Sequence, residues 1–309
     1  MQQMKKYVDT GLQRDLNELR TRPAISTKIK ALDEILGGGL YAGMTILAAA
    51  PSAGKTALCI SIMDTIAAAG VPTIYYSLET SAAELVARSC SREAAIYAGL
   101  RDARSCIEEN KAIAECFSAA SFLYSTGGQY RAEAELQYES IATNIYFDSK
   151  AKPVFGKDRD TIEADICTVE RDTGARPAVV VDYLQLYAAR LDSGKQEERA
   201  QLIALCSDLE KLSKAYHTQV LCVSSVNRAQ GYGGEIEFNS LHGSNSIEYS
   251  ADTVLALVYE NESDIDQKGQ PVRRLKIKQL KNRNSIQRGD ALIDYIPRVN
   301  LFRDRISIK

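Results

Sequence analysis

Residues 44–70 hold an apolar run, "MTILAAA", a short turn, "PSAGKT", and then "ALCISIMDTIAAAG", whose helical pattern stops at a glycine. This stretch constrains the fold more than any other. A strand without polar alternation must be covered on both faces, and a helix that follows it at once packs back on one of them. The same alternation recurs along the chain. "TIYYS" (73–77) reads as a strand and "SAAELVARSCSREAAI" (81–96) as a helix, then "NIYFD" (144–148) and "RDTIEADICTVERDTG" (159–174). "PAVVVDYLQL" (177–186) contains a strand whose apolar run ends in an acid; "ERAQLIALCSDLEKLSKAYH" (198–217) is a long amphipathic helix and "TQVLCVSS" (218–225) a strand. After that the character changes: "DTVLALVYE" (252–260), "RRLKIKQLK" (273–281) and "ALIDYIP" (291–297) are strands with no helix between them. The predicted architecture is α/β, a mainly parallel twisted sheet flanked by helices, with an antiparallel C-terminal extension.

The turn in residues 49–56, "AAPSAGKT", matches G-x-x-x-x-G-K-[ST] except that Ala49 replaces the first glycine. Between a strand and a helix, the backbone N–H groups of Ser52, Ala53, Gly54, Lys55, Thr56 and Ala57 and the helix N-terminus are placed to surround phosphates. Lys55 neutralises phosphate charge, the Thr56 hydroxyl binds Mg²⁺, and Gly54 lets the backbone approach closely. The first glycine only begins the turn, so Ala49 serves if its φ stays negative. A nucleoside triphosphate with Mg²⁺ is the expected ligand. Hydrolysis needs a further metal-site acid and a group that handles water. Asp182 ends "AVVVD" and Glu79 follows "TIYYSL", both at strand C-termini, where open α/β sheets bind ligands. A strand-end acid can instead cap the next helix, although Ser81 is the better cap after Glu79.

Composition sets limits. The 309 residues are 45% hydrophobic and 25% charged, enough for a substantial core, and the net charge of −2 argues against a generally basic surface but not against a local basic stripe. Seven cysteines without a C-x-x-C spacing fit a reducing cytoplasm, and with only two histidines a Cys/His zinc site is not expected. No apolar run approaches the roughly 20 residues of a membrane span, and the first residues lack the apolar core of a secretory signal, so the expectation is a soluble cytoplasmic protein with no membrane partner.

The motifs "SLET", "DYLQL", "SSVNR" and "KNRN" stand in the order found in the RecA-like ATPase domain of DnaB-type replicative helicases, which the chain resembles over roughly residues 26–304. The stretch 26–58, "STKIKALDEILGGGLYAGMTILAAAPSAGKTAL", is similar to the opening of that domain and also to RadA and KaiC relatives. The resemblance implies a RecA-like P-loop NTPase core over residues 26–309, loosest over 99–143, which read as a helical insertion on the side of the core. It implies Lys55 and Thr56 as phosphate and Mg²⁺ ligands, Glu79 as the catalytic glutamate, and Asp182 as the second metal-site acid. Lys281 and Arg283 match a basic pair that the family projects into a neighbour's nucleotide site, where an arginine stabilises charge on the transferred phosphoryl group. Read alone, "KIKQLKNRN" is better taken as a solvated edge strand. A homo-oligomer, a hexamer around single-stranded DNA moving 5′ to 3′, with a helicase loader or primase as partner, is likewise implied by resemblance.

The chain departs from the family at several points. Ser225 stands where a glutamine usually senses the γ-phosphate. The segment 227–252 matches a channel loop, but its basic-acidic-glycine pattern becomes His242, Gly243 and Asn245, with Arg228 facing Glu235 and Glu237. The other channel candidate, residues 189–199, sets Arg190, Lys195 and Arg199 against Asp192, Glu197 and Glu198. Arg190, Lys195, Arg228, Tyr232, His242 and Gly243 are the DNA-binding candidates, Tyr232 by stacking; the alternative is that these are ordinary surface loops. About 25 residues precede the core, an N-terminal arm (1–25) whose linker-type helix over 9–20 carries Leu12, Leu16 and Leu19 and docks either on its own domain or on a neighbouring subunit. Three functions are therefore expected in order: a helicase, a RadA- or KaiC-like ATPase in recombination or regulation, and a nucleotide-binding module without turnover.

Overall fold

A computed structural model describes residues 11–13, 16–17, 24–49, 52–101, 106–148, 159–189, 198–226, 236–237, 240–241, 249–260, 272–284 and 289–305. The expected helix over residues 9–20 lies largely outside them. The structure begins with α1 (Lys30–Leu36), β1 (Gly43–Ala49), α2 (Lys55–Ala68), β2 (Thr73–Ser77) and α3 (Ala82–Tyr97). Helices α4 (Cys106–Glu115), α5 (Ala119–Tyr124) and α6 (Arg131–Ala142) follow, then β3 (Ile145–Asp148), α7 (Arg159–Thr173), β4 (Ala178–Asp182), α8 (Leu184–Ala189), α9 (Glu198–Ala215) and β5 (Gln219–Ser225). Strands β6 (Thr253–Tyr259), β7 (Arg273–Asn282), β8 (Asp290–Ile296) and β9 (Leu301–Asp304) complete the order.

The nine strands form one sheet in the order β3-β2-β4-β5-β1-β6-β7-β8-β9. Pairing is parallel from β3 through β6 and antiparallel from β6 to β9. Strand β1 is central, paired in parallel with β5 on one side and β6 on the other. Because strand side chains alternate, each apolar run feeds two cores. Leu47, Ala49, Tyr75, Val180, Leu221 and Leu255 join α1 and α2 on one face. Met44, Ile46, Ile74, Val181, Cys222 and Val254 join α7 and α9 on the other.

Helices α4–α6 occupy the segment that was least legible in sequence. Ala134, Tyr138 and Ile141 of α6 pack with Ala67 of α2 and Cys90 and Ala94 of α3, while Ala112 and Ile113 of α4 meet Ile296, Val299 and Leu301 at the far sheet edge. Helix α3 starts with a capping box in which Ser81 and Glu84 satisfy each other's backbone N–H groups. Buried Asp64 and Arg92 pair between α2 and α3, with the Ser89 hydroxyl donating to Asp64 at 2.6 Å.

Strand β7 pairs with both β6 and β8 over Leu275–Lys278, and with β6 alone from Gln279 to Asn282. The edge-strand alternative for "KIKQLKNRN" therefore fails for its first three residues, while Gln279–Asn282 is paired with β6 alone; the sheet ends at β9, four residues that the sequence pattern did not reveal. A register shift interrupts the β6–β7 ladder: Val254 faces Lys281 while Leu255 faces Gln279, which leaves Leu280 as an extra residue. The Gln279 and Asn282 amides both reach the Ile35 carbonyl of α1, at 2.6 and 3.4 Å, whereas Leu280 packs on the opposite core.

Candidate functional site

Parallel strands bring their C-terminal ends to the same side of the sheet. The turn after β1, Glu79 just past β2, Asp182 at the end of β4 and Ser225 at the end of β5 therefore arise on one rim. A cleft of about 890 Å³ lies there, and its lining includes Ser52, Gly54, Lys55, Thr56, Glu79 and Asp182. Ala57 and Ser225 also line it, while Ala53 is buried beside it.

Ala49 closes β1 as extended backbone and is not among the residues with positive φ. No glycine is required at that position. Gly54, by contrast, has φ +100°, and a Cβ there would lie 3.0 Å from Tyr295 Cε1 and 3.2 Å from Phe302 Cζ. Those two rings stack with centroids 4.1 Å apart and planes 8° from parallel, so the turn rests on an aromatic platform. Helix α2 begins at Lys55 and aims its N-terminal N–H groups at this rim.

The Asp182 carboxylate is 3% exposed. Burial pushes its carboxyl above the ordinary range; hydrogen bonds from Tyr75 and Thr56 and the charge of Lys55 oppose that, and Glu79 adds to it. The Tyr75 hydroxyl donates to Asp182 Oδ2 at 2.9 Å. Burial likewise lowers the Lys55 ammonium below its usual value, against the carboxylates of Asp182 and Glu79. Both groups are thus held in a dry setting where a bound anion and cation would each be strongly felt. The Thr56 hydroxyl and Asp182 carboxylate are neighbouring hard oxygen donors, which suits Mg²⁺ completed by phosphates and water. Among the described residues no cluster of three or more His, Cys, Asp or Glu forms a self-sufficient metal site. Glu79 is exposed in the cleft, open to water. Gln185 of α8 accepts from the Ser225 backbone N–H at 3.2 Å and donates to Ser224 Oγ at 2.9 Å, which fixes the end of β5.

Lys281 and Arg283 do not line this cleft. Arg190, Lys195, Arg228, Tyr232, His242 and Gly243 lie outside the described residues. Sequence reasoning missed Arg88, Tyr183, Tyr295 and Asn300, all in the lining. Arg88 could have been suspected, since it follows Glu79 within a helix that Ser81 starts; Tyr295 and Asn300 carried no motif. Among the described residues no helix is long and apolar enough to cross a membrane.

Comparison with known proteins agrees with this geometry. The replicative DNA helicase DnaB of Treponema pallidum is 25% identical over 234 residues, 75% of this chain and 47% of that protein. The chain thus spans about half the length of this relative. A solved DnaB-like replicative helicase, determined with its interactions with primase, superposes with TM-score 0.75 at 18% identity, over 96% of this chain and 68% of that one. A KaiC-like protein from Pyrococcus horikoshii is a weaker match, with TM-score 0.57 at 15% identity over 91% of this chain and 98% of that one. Both structures share the α/β fold. The model of the DnaB-like helicase C-terminal domain matches residues 24–304, and the chain belongs to that family.

Proposed function

We propose that this chain binds ATP with Mg²⁺, hydrolyses it, and works as the motor part of a DnaB-type helicase on single-stranded DNA. The observation that carries the reading is the meeting of Lys55, Thr56, Glu79 and Asp182 in one cleft at the strand C-termini. In it, the turn and the N-terminus of α2 receive the phosphates and Lys55 offsets their charge. Thr56 and Asp182 hold Mg²⁺, which when bound offsets charge on the phosphate oxygens. Glu79 orients the attacking water and accepts its proton, and Arg88 supplies a further cation from α3. Arg283, with Lys281, completes the site of a neighbouring subunit, so turnover depends on a ring, a hexamer by family resemblance. A cytoplasmic setting and a primase partner follow from the same kinship.

The test is ATP turnover with and without single-stranded DNA, with Lys55→Ala as the blank. Stimulation by DNA that vanishes in the variant, followed by duplex unwinding, supports the helicase. Turnover indifferent to DNA would withdraw that name in favour of a KaiC-like ATPase. Nucleotide binding without turnover would leave only a binding module.

A further inference from the structure

The phosphate-binding turn is held from outside by strands that enter much later in the chain. Ser52 and Gly54 both have positive φ, +64° and +100°, so the turn reverses direction within a few residues. Two features of the antiparallel extension brace it. The Tyr295–Phe302 stack lies against Gly54. The Arg273 guanidinium at the start of β7 donates through Nη1 to the Ser52 carbonyl at 3.3 Å, across 221 positions of sequence. Arg273 and Arg88 both act on the Tyr295 phenol, offsetting the rise that burial causes, which puts two cations around this corner of the cleft.

A peptide unit is planar and trans, so its C=O and N–H point in opposite directions. The Ser52 carbonyl and the Ala53 N–H belong to one such unit. If that carbonyl turned inward, its oxygen would meet the phosphates and the N–H would be lost to them. Resting on the nucleotide-site reading above, we propose that Arg273 is a positioning residue for phosphate binding. It keeps the Ser52 carbonyl directed toward β7, and the Ala53 N–H is thereby directed away from β7, into the turn. Ser52 holds a strained positive φ, and the charge-assisted bond from Arg273 helps to hold its carbonyl in place.

The experiment measures fluorescent ADP and ATP analogue binding, and steady-state turnover, for the full chain as wild type, Arg273→Ala and Arg273→Lys. The Ala variant is expected to weaken ADP and ATP by the same factor, about fivefold, the size of one hydrogen bond. KM should rise by a similar factor with kcat within twofold, and Lys should recover most of the loss. Unchanged affinity in Arg273→Ala overturns the proposal. Weakening of ATP alone also overturns it, since that would place Arg273 on the γ-phosphate rather than on the turn. A fall in kcat at unchanged KM overturns it as well. The wild-type curve separates the two readings: if wild type binds neither nucleotide while remaining folded, the proposed function fails before this inference is reached.

Discussion

Arg283 Nη1 lies 3.3 Å from Asp252 Oδ1, and Asp252 in turn accepts from the Met44 N–H at 3.0 Å through Oδ2. Met44 is at the start of β1, whereas the phosphate turn follows its end. At about 3.3 Å per residue the two ends of β1 are about 20 Å apart. Arg283 is therefore out of reach of its own chain's cleft and is half-exposed, as its proposed action on a neighbouring subunit requires. Arg283→Ala is expected to lower ATP turnover by about a thousandfold while nucleotide binding is kept. Mixing it with Lys55→Ala subunits should recover activity, because each supplies what its neighbour lacks. Absence of recovery at every ratio, with both variants assembling normally, would exclude action in trans.

Gly54 and Ala49 should respond in opposite ways. Gly54→Ala places a methyl group against Tyr295 and Phe302 at a positive φ, and should cost about 1–3 kcal/mol of stability along with nucleotide affinity. Ala49→Gly restores the consensus residue in a strand, and should leave affinity within twofold while lowering stability by about 1 kcal/mol. Denaturant unfolding and nucleotide titration measure both. Tighter binding by Ala49→Gly would show that the alanine weakens the turn.

Asp182 carries a cost in the nucleotide-free protein. Its folded carboxyl titrates above the ordinary range, chiefly through burial, so the folded state keeps the proton longer than the unfolded chain. Stability falls as pH rises from the unfolded value through the folded one, and the penalty is full above that. Asp182→Asn should therefore raise the nucleotide-free melting temperature by about 2 °C at neutral pH, lose the gain in acid, and abolish turnover. A lower melting temperature at neutral pH would contradict the burial argument.

The Arg92–Asp64 pair between α2 and α3 is buried on both sides. Arg92→Met should cost about 3–5 kcal/mol, since it leaves a buried carboxylate without its cation. Burial already raises the Asp64 carboxyl and Arg92 restrains that rise, so removing Arg92 raises it further. The deficit should be full at high pH and shrink as acid protonates Asp64. Urea unfolding at two pH values reads this, and Asp64→Asn combined with Arg92→Met should cost less than Arg92→Met alone. A deficit independent of pH would mean that lost packing, not lost charge, sets the cost.

What could be read in advance follows from how local each signal is. β2 was legible to the residue, and β1, β4, β5 and β6 were plain because buried parallel strands are apolar throughout. Lys55 and Thr56 were legible because they stand in a phosphate-loop motif at the start of α2, Glu79 and Asp182 because each lies at or just past the end of an apolar strand. The four-residue β9 was not: "LFRD" is short, mixed in character, and finds its place only by pairing with β8. Helix α1, "KALDEIL", was passed over as part of the lead-in to β1, although Leu32, Ile35 and Leu36 bury its inner face. Arg273 and Tyr295 reach the phosphate turn, and Asn300 the cleft beside it, through the antiparallel extension, a meeting that no local spacing encodes.

The extra residue in β7 makes the aim of the cationic pair a matter of counting. In an unbroken strand, Lys281 and Arg283 would share a face with Leu275, Ile277 and Gln279, turned toward α1. Leu280 shifts the parity by one, so Asn282 takes the α1 side and both cations go to the other. Closing the bulge without removing a residue would leave every charge in the chain intact and reverse the direction in which two of them point, whereas deleting Leu280 would restore a regular ladder and keep their aim. The irregularity in this ladder therefore carries as much meaning as the identity of the basic residues beyond it.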